Sequence, residues 1–514
     1  MNEEIAKVKL LSDQLKQKYA QENKDNTLAT QKDFSSYHQM AMILKQQHDE
    51  LLSSINDKID RGAKRRSLTV LEVCQILKQH FTIIKLNNIA NASIAIYDSV
   101  TGIYTQNNNM FYQFFRMVDP ALNESRCKDV LFTLNTDYTI KTKSLTHDSN
   151  LIPVGNGVYN TDKLEPFNSN YVFTTKVATN YNENATTSPN INGWNIEKFM
   201  LELANNDQEE EKLLWQIITC VINPNLVNEQ AFFLYSEQGS TGKGTFQTLL
   251  TNLVGSNNKA NLKVTEFNQR FALSRLLGKI LCIGDDIEPD TYIKETGNFN
   301  SVITRDPVTI EYKGQNAFNT ILILTVVQSS NGLPKFNNVE GAKRRLCIVP
   351  FNHQFKDDKK NPLVKNNYLY RKDVLEYVLY KALHNHFTKL ITPQVVQKAQ
   401  DEYMQTANSV YAFKHDFWDV VTSKLNIELF PLDYLYSWYK RYCEHASYEA
   451  LSLRKFLKKF KLIVRKEYHP DTVRLSVNDR NELRKINDEE LVSFSNSSNF
   501  PQNDKARKVL KKNN

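Results

Sequence analysis

The sequence predicts an α/β core between a mixed N-terminal domain and a C-terminal domain of helices and a short hairpin. Three apolar runs of strand length support the core, because each ends in small or polar residues: 231–235, 280–284 and 320–327. A helical segment, Phe246 to Leu253, begins shortly after the first run. Buried strands next to a helix are typical of an α/β fold.

Length and composition limit the function classes. The 514 residues are enough for about three to four domains. No apolar run reaches the roughly 18 residues of a membrane-spanning helix, and the polar start of the chain does not resemble a signal peptide. The six cysteines lie far apart, which argues against a disulfide framework or a zinc site and favours reduced residues in cytosol. The net charge of +8 permits nucleic acid as a partner.

The first run leads into a turn of small residues that carries one lysine. Such a turn is either a surface loop or a phosphate-binding loop, in which glycines let successive backbone N–H groups point at phosphates and the lysine reaches the β/γ oxygens. The loop departs from the strict pattern, because Glu237 replaces a glycine and Gly244 replaces the Ser or Thr whose hydroxyl binds Mg²⁺. We therefore expect that hydroxyl from Thr245 or from elsewhere. The predicted nucleotide-binding residues are Gly239, Ser240, Thr241, Gly242, Lys243, Gly244 and Thr245.

The second run ends in adjacent carboxylates, Asp285 and Asp286. A strand that ends in a polar turn would look the same. After a phosphate-binding loop, however, acidic groups at a strand tip are what a Mg²⁺-nucleotide site requires, one for the metal and one to activate the attacking water. We predict Asp285 and Thr245 as metal-binding residues, and Asp285 and Asp286 as catalytic ones.

Three further features follow in order. Residues 306–319 predict a hairpin with Lys313 near its tip, which serves either solubility or contact with a DNA phosphate. The third apolar run ends near Asn331, whose side chain is predicted to sense the γ-phosphate. Arg344 and Arg345 precede another apolar strand, and a guanidinium from a neighbouring subunit would stabilise charge on the transferred phosphoryl group.

The N-terminal third offers no catalytic pattern. Residues 1–66 form a predicted helical segment that ends in a basic cluster, either a solvated linker or a phosphate contact: Arg61, Lys64, Arg65 and Arg66. Residues 67–190 form the mixed domain, whose first helix begins at a capping box of Thr69 and Glu72. The core covers residues 191–405.

The C-terminal part predicts a winged helix over residues 406–480. Helices at 417–425, 432–444 and 451–461 precede strands at 463–467 and 472–475. Basic residues on the third helix are either a solvated face or contacts to the DNA major groove. The candidate DNA-binding residues here are Arg454, Lys455, Lys458 and Lys459. The polar tail, 481–514, is predicted to be flexible.

In this order the motifs resemble the ATPase core of superfamily 3 helicases. The similarity is to the phage, plasmid and poxvirus-type primase-helicase family, which includes replication initiator helicases of staphylococcal pathogenicity islands. It rests on GSTGKGT (239–245), ILCIGDD (280–286), the hairpin with Lys313, SSNGLP (329–334) and the pair Arg344 and Arg345. The segments 151–160 and 171–182 resemble the domain that precedes the helicase.

The resemblance implies an AAA+-like P-loop core, a homo-hexameric ring, ATP with Mg²⁺, and 3′ to 5′ movement on single-stranded DNA. It leads us to expect a cytoplasmic bacterial replication initiator of a mobile genetic element, which binds and melts origin duplex and contacts host replication proteins. We expect no primer synthesis, because about 65 N-terminal residues are too few for a primase domain. The alternatives are a DNA-binding protein that binds nucleotide without motor activity, and an NTPase without a DNA role.

Overall fold

The structure is a computed structural model, and its description covers most of the chain. The described residues are 34–58, 64, 67–86, 93–226, 229–288, 291–293, 295–314, 316–336, 344–355, 361–425, 427–446, 448–488 and 505–513. The predicted helix before residue 34 and the basic residues Arg61, Arg65 and Arg66 lie outside them. Among the described helices, none is long and apolar enough to cross a membrane.

The N-terminal domain packs four helices on a four-stranded sheet. The helices are α1 (Tyr37–Asp57), α2 (Val70–His80), α3 (Asn108–Val118) and α4 (Glu124–Thr136). The strands are β1 (Ile83–Leu86), β2 (Ile94–Asp98), β3 (Ile103–Thr105) and β4 (Thr142–Lys143), in the order β3-β2-β1-β4. The predicted capping box of Thr69 and Glu72 begins α2. The described residues of this domain therefore contain both helices and strands.

A small antiparallel sheet and two helices lead into the core. The sheet contains β5 (Leu151–Val154), β6 (Gly157–Asn160) and β7 (Lys163–Glu165). The helices are α5 (Ile196–Leu203) and α6 (Gln208–Ile222). The backbone of residues 177–179 joins this part to the core, since Ala178 N donates to Val254 O over 3.0 Å.

The core is a five-stranded parallel sheet with apolar clusters on both faces. Its strands are β8 (Ala231–Tyr235), β9 (Lys259–Asn261), β10 (Leu281–Ile287), β14 (Thr325–Ser330) and β16 (Leu346–Pro350), in the order β16-β8-β14-β10-β9. Phe232 and Leu234 pack on one face, while Ala231 and Phe233 pack on the other. A strand buried on both faces is continuously apolar, which explains why the run at 231–235 predicted it correctly.

Helices and short strands complete the core. The helices are α7 (Lys243–Val254), α8 (Gly297–Thr304), α9 (Pro362–Asn366), α10 (Lys372–Leu383) and α11 (Gln394–Ala407). The short strands are β11 (Tyr292–Ile293), β12 (Val308–Ile310), β13 (Phe318–Thr320) and β15 (Lys335–Phe336). The antiparallel pair β12-β13 is the predicted hairpin, and Lys313 lies exposed at its turn.

The third apolar run differs from its prediction. A single strand over 320–327 was expected, but β13 ends at Thr320 and β14 begins only at Thr325. Ile321, in the connection, is 39% exposed. The strand prediction is wrong for residues 321–324, because the run joins the end of a hairpin to a core strand and an apolar run alone does not mark that boundary.

The C-terminal domain contains helices around a three-stranded antiparallel sheet. Its first helix, α12 (Ser409–Phe413), continues through a π-helical turn (Lys414–Trp418) into α13 (Asp419–Lys424). Three separate helices follow: α14 (Leu432–His445), α15 (Leu453–Val464) and α16 (Val477–Asp488). The strands are β17 (Leu429–Pro431), β18 (Tyr468–Val473) and β19 (Arg507–Lys512), in the order β17-β19-β18. The two helices predicted at 432–444 and 451–461 correspond to α14 and α15.

Two predictions in this domain need correction. The strand expected at 463–467 is wrong, because α15 continues to Val464 and residues 465–467 form a turn. β18 begins only at Tyr468 and pairs with β19. The tail is not flexible throughout, since α16 extends into it and Arg507–Lys512 is the central strand of the sheet. Val509 and Leu510 are completely buried. These two apolar residues are too short a signal to stand out in a polar tail.

Candidate nucleotide-binding site

The candidate site lies where the carboxyl ends of three neighbouring strands meet. The strands are β8, β14 and β10, and they run parallel. The glycine loop follows β8, Asn331 follows β14, and the paired carboxylates lie in the last part of β10. Ligands of open parallel sheets bind at this edge, so the topology brings three separated sequence motifs to one place.

Gly242 shapes the loop. It is the N-cap of α7 and has a φ of 88°, in the left-handed region that favours glycine. A Cβ at this position would lie 2.3 Å from Leu203 Cδ2 and 3.1 Å from Phe355 Cε2. The loop is also held from outside, because Phe355 N donates to Ser240 O over 3.1 Å. Conformation and packing therefore both require glycine at 242.

The loop lysine contacts the predicted γ-phosphate sensor. Lys243 Nζ donates to Asn331 Oδ1 over 3.0 Å and to Ser236 O over 3.3 Å. Burial lowers the pKa of Lys243, while the negative charges of Asp285 and Asp286 act in the opposite direction. The ammonium thus lies among oxygen acceptors at the start of α7, where the helix dipole also favours an anion.

The two carboxylates have different surroundings. Ser329 Oγ donates to Asp285 Oδ1 over 2.5 Å, and this oxygen also accepts the backbone N–H of Asp286 over 3.0 Å. Asp286 has a φ of 53°, where the register of β10 against β14 shifts. Its carbonyl accepts Lys263 Nζ over 2.9 Å. Asp285 is the carboxylate that the neighbouring strand orients.

Ser329 and Lys263 were not predicted from the sequence. Ser329 lies two residues before Asn331, so a search for polar residues along the buried run would have found it. Lys263 follows β9 and belongs to no sequence motif. Its place in the site depends on the pairing of β9 with β10.

Two cavities adjoin the loop on different sides. One measures about 490 Å³ and is lined by Gly244, Thr248, Lys263, Asp285 and Lys365, among other residues. The other measures about 1020 Å³ and is lined by Ser240, Gly242, Thr245, Trp194, His353, Phe355 and Lys365, among other residues. We call them the acidic-side cavity and the aromatic-side cavity.

The predicted metal pair is not brought together at one cavity. Thr245 lines the aromatic-side cavity, whereas Asp285 and Gly244 line the acidic-side cavity. Consecutive residues at the start of a helix point about 100° apart, which explains why residue 245 cannot take the direction of residue 244. The hydroxyl that does contact Asp285 is that of Ser329.

The residues present fit a nucleotide with a divalent cation. Thr241 Oγ1 and Trp194 Nε1 are buried polar atoms without a hydrogen-bond partner in the described parts of the chain. Both residues lie at or beside the loop, and a buried polar atom without a partner is costly unless a ligand or water pairs with it. No group of three or more His, Cys, Asp or Glu residues able to hold a metal occurs among the described residues. Mg²⁺ in nucleotide sites typically needs only one or two carboxylates plus phosphate oxygens.

The paired arginines lie at the other edge of the same sheet. Arg344 and Arg345 directly precede β16, and Arg345 O accepts the backbone N–H of Ala231 over 2.8 Å. Ala231 lies at the start of β8 and the glycine loop follows the end of β8, so the length of this strand separates the arginines from the loop. The structure therefore does not bring the arginines to the site of their own chain.

The predicted DNA-binding residues also lie outside this site. Lys313 is exposed at the β12-β13 turn, and Glu311, at the start of the same loop, accepts a hydrogen bond from Arg270 Nε over 3.0 Å. On α15, three of the four basic candidates are exposed and the fourth is half-exposed: Arg454, Lys455 and Lys458, then Lys459. Phe456, Phe460 and Val464 bury the other side of α15.

Three segments of the chain match known families. Residues 11–200 match the family described as D5 N terminal like, and residues 405–495 match the family described as Poxvirus D5 protein-like. Between them, residues 234–345 match a family of unknown function, DUF5906. This last match covers the glycine loop, both carboxylates, Asn331 and the two arginines.

Among solved structures, the chain is similar to apo structures of the NrS-1 C-terminal region. An A-form structure shares 10% identity at a TM-score of 0.46, with 87% of this chain and 100% of that chain covered. A structure of residues 305–718 of that protein shares 11% identity at a TM-score of 0.45, with 80% and 98% covered. The comparison with curated proteins found no match. The segments that precede and follow the central part of the core thus match two families named for the poxvirus D5 protein.

Proposed function

We propose that the protein is an ATP-driven DNA helicase that acts in replication. One observation carries the proposal: the loop lysine, the polar residue after β14 and the oriented carboxylate of β10 meet at one edge of a parallel sheet, with Lys243 Nζ 3.0 Å from Asn331 Oδ1. Such an arrangement suits phosphoryl transfer, in which positioning and charge stabilisation supply most of the catalysis.

Each residue of the site takes a role in this proposal. Lys243 and the loop N–H groups bind the phosphates, and Asn331 orients the attacking water. Asp285, held by Ser329, is the residue that would hold Mg²⁺, and Asp286 is the candidate base. When bound, Mg²⁺ supplies charge that stabilises the developing phosphate anion. The adenine ring of the nucleotide fits the aromatic-side cavity, where Phe355 stacks on Phe199 and packs edge-to-face against His353.

A ring of subunits completes the site in this proposal. Arg344 and Arg345 lie at the far edge of the sheet from their own loop, which favours their use by a neighbouring subunit. A guanidinium from outside then stabilises charge on the transferred group. A homo-hexamer, as in superfamily 3 helicases, satisfies this requirement with six equivalent interfaces.

Two surfaces would contact DNA. The described elements of the C-terminal domain follow the order α12 and α13, β17, α14, α15, β18, α16, β19. This order supports a winged helix in which α16 lies between the two strands of the wing. Its α15 then is the recognition helix, with basic residues exposed and aromatic residues buried. The turn with Lys313 is the candidate contact to a translocating single strand.

The proposed role in replication initiation follows from the resemblance to the phage, plasmid and poxvirus-type family. The C-terminal domain recognises origin duplex, and the ring melts it and moves 3′ to 5′ in a bacterial cytoplasm, on behalf of a mobile genetic element and with host replication proteins. Deleting residues 408–514 tests the division of labour. Sequence-specific duplex binding should disappear while ATP hydrolysis remains, and retained specificity would transfer recognition to the N-terminal half.

The proposed activity is tested by ATP hydrolysis with and without single-stranded DNA. We expect DNA to raise kcat in the wild type, and Asp285→Asn to lower kcat about 10²-fold or more, because the neutral amide cannot hold the cation. Asp306→Asn, at an exposed carboxylate outside the site, is the matched control. Hydrolysis that survives Asp285→Asn would contradict the assignment.

A second candidate is a DNA-binding protein that binds nucleotide without hydrolysing it. Gly244 favours it, because the residue that usually supplies a metal-binding hydroxyl has no side chain. This candidate predicts tight nucleotide binding, no turnover and no effect of DNA on turnover. The two functions therefore separate in the same assay.

A further inference from the structure

Gly244 lies beside a lysine from another element. A Cβ built on Gly244 would have one neighbour within 4 Å among the described residues, the Lys365 ammonium nitrogen at 3.5 Å. In most phosphate-binding loops a Ser or Thr side chain fills this space. Here a cation borders the space instead, and it comes from α9, more than one hundred residues further along the chain.

The fold fixes α9 against the helix of the loop. Val364, next to Lys365, is buried in the same apolar cluster as Phe246 and Leu250 of α7. Just after α9, Leu369 O accepts Asn252 Nδ2 of α7 over 2.9 Å. Asn361 caps α9, and Pro362 occupies its first turn, where proline is well tolerated. The packing of α9 on α7 thus holds Lys365 beside Gly244, while Lys365 itself stays exposed to solvent.

Lys365 also lies between the two cavities. It is shared by the linings of the acidic-side and aromatic-side cavities, which otherwise have different residues. Gly244 of the loop lines the acidic-side cavity and the next residue, Thr245, lines the aromatic-side cavity, so the boundary at Lys365 adjoins the loop that would bind the phosphates. The charge that faces those phosphates from α9 is positive.

The charges around Lys365 suit an anion next to it. Lys263 and Arg275 line the acidic-side cavity with it, while Glu266 is occupied by the backbone N–H of Lys263 and by Arg275. Asp285, which also lines this cavity, accepts a hydrogen bond from Ser329 Oγ. Within the described parts of the chain, no hydrogen bond or ion pair uses the three N–H donors of the Lys365 ammonium.

We propose that Lys365 is a second phosphate-binding lysine, which binds the inner phosphates of ATP through the space that Gly244 leaves open. The inference rests on the proposed nucleotide site and adds a residue and a reason for the unusual loop sequence. A Cβ at position 244 would lie 3.5 Å from the Lys365 ammonium nitrogen, so a longer side chain there would compete with that ammonium for the same space. The absence of a hydroxyl at position 244 and the presence of Lys365 beside it are therefore linked in this proposal.

The test measures nucleotide binding by the full-length protein, through displacement of a fluorescent ATP analogue. We expect Lys365→Ala to weaken ATP and ADP binding about 10- to 100-fold, the size of a lost charge-assisted hydrogen bond, with little change for adenosine. Lys372→Ala removes an exposed lysine from the next helix and is the matched control. Lys365→Arg should retain most of the affinity.

A double-mutant cycle tests the link to Gly244. Gly244→Thr should weaken ATP binding in the wild-type background, where it displaces Lys365. In the Lys365→Ala background the same substitution should strengthen ATP binding in the presence of Mg²⁺, because the new hydroxyl can hold the cation. The sign of the effect therefore reverses, which two independent residues cannot produce.

The outcomes separate this inference from the proposed function. If the wild type binds ATP and Lys365→Ala leaves phosphate-dependent binding unchanged, the role of Lys365 is wrong and the nucleotide site stands. Additive effects of the two substitutions would also overturn it. If the wild type does not bind ATP at all, the proposed function itself fails.

Discussion

Asn331 accepts a hydrogen bond from the ammonium of Lys243, although 88 residues separate them in the sequence. The contact joins the glycine loop after β8 to the end of β14, the adjacent strand. It places an amide, which can orient water, beside the cation that binds phosphate. The nucleotide site is thus an arrangement of neighbouring strand ends.

Replacing Asn331 should separate binding from turnover. We expect Asn331→Ala to lower kcat about 10²-fold with little loss of ATP affinity, because Lys243 still binds phosphate while the oriented amide is lost. Asn331→Asp should weaken ATP binding as well, since its carboxylate pairs with Lys243 and repels the phosphates. Initial rates and nucleotide titrations measure both effects. Wild-type kcat in both variants would contradict the role of Asn331.

Glycine at position 242 should be indispensable, unlike glycine at 239. Gly242→Ala forces a side chain into a left-handed backbone and against Leu203, at a cost of about 1–3 kcal/mol, and should abolish nucleotide binding. The Cβ of Gly239→Ala would meet no atom of the described residues within 4 Å, its chain neighbours apart, and the substitution should leave binding within about twofold of the wild type. Thermal unfolding and nucleotide titration check the pair. Equal effects of the two substitutions would refute the loop geometry.

The arginines should act between subunits. Variants Lys243→Ala and Arg344→Ala/Arg345→Ala should each lack ATP hydrolysis. In mixed rings assembled from equal amounts of the two variants, about a quarter of the interfaces should be active. Each interface needs an intact loop from one subunit and intact arginines from the next, and each is present about half of the time. Hydrolysis after subunit exchange measures this recovery, and the single arginine variants identify the acting residue. No recovery in a mixture shown to form mixed rings would contradict a shared site.

The basic face of α15 should bind duplex DNA. Lys455→Glu/Lys458→Glu should weaken binding strongly and reduce the slope of log K against log salt by about 2, because about 0.9 counterion is released per phosphate contact. ATP hydrolysis without DNA should not change. Lys424→Glu, at an exposed lysine of α13 in the same domain, is the control. An unchanged salt slope would show that α15 is a solvated face.

The sequence predicts those parts of the molecule that depend on local patterns. The run at 231–235 is continuously apolar because β8 is buried on both faces, and the strand ends are marked by Gly239, Asp285 and Asn331. Neighbouring strand ends of a parallel sheet share an edge, so these motifs are found together in the structure as their order suggests.

The remaining parts depend on contacts that no local pattern reveals. β19 has only Val509 and Leu510 as fully buried residues, and it becomes a strand because β17 and β18 pair with it on both sides. Thr245 and Asp285 line different cavities, because residues 244 and 245 of a helix project about 100° apart. Lys365 reaches Gly244 only through the packing of α9 on α7.

Strand separation by the wild type and by Lys243→Ala is the most direct test of the central claim that ATP hydrolysis at this site drives DNA unwinding. A labelled forked duplex, incubated with ATP and Mg²⁺, reports the separated strand. We predict separation by the wild type and none by Lys243→Ala, while both proteins bind the DNA equally. Separation by Lys243→Ala at the wild-type rate would contradict the account.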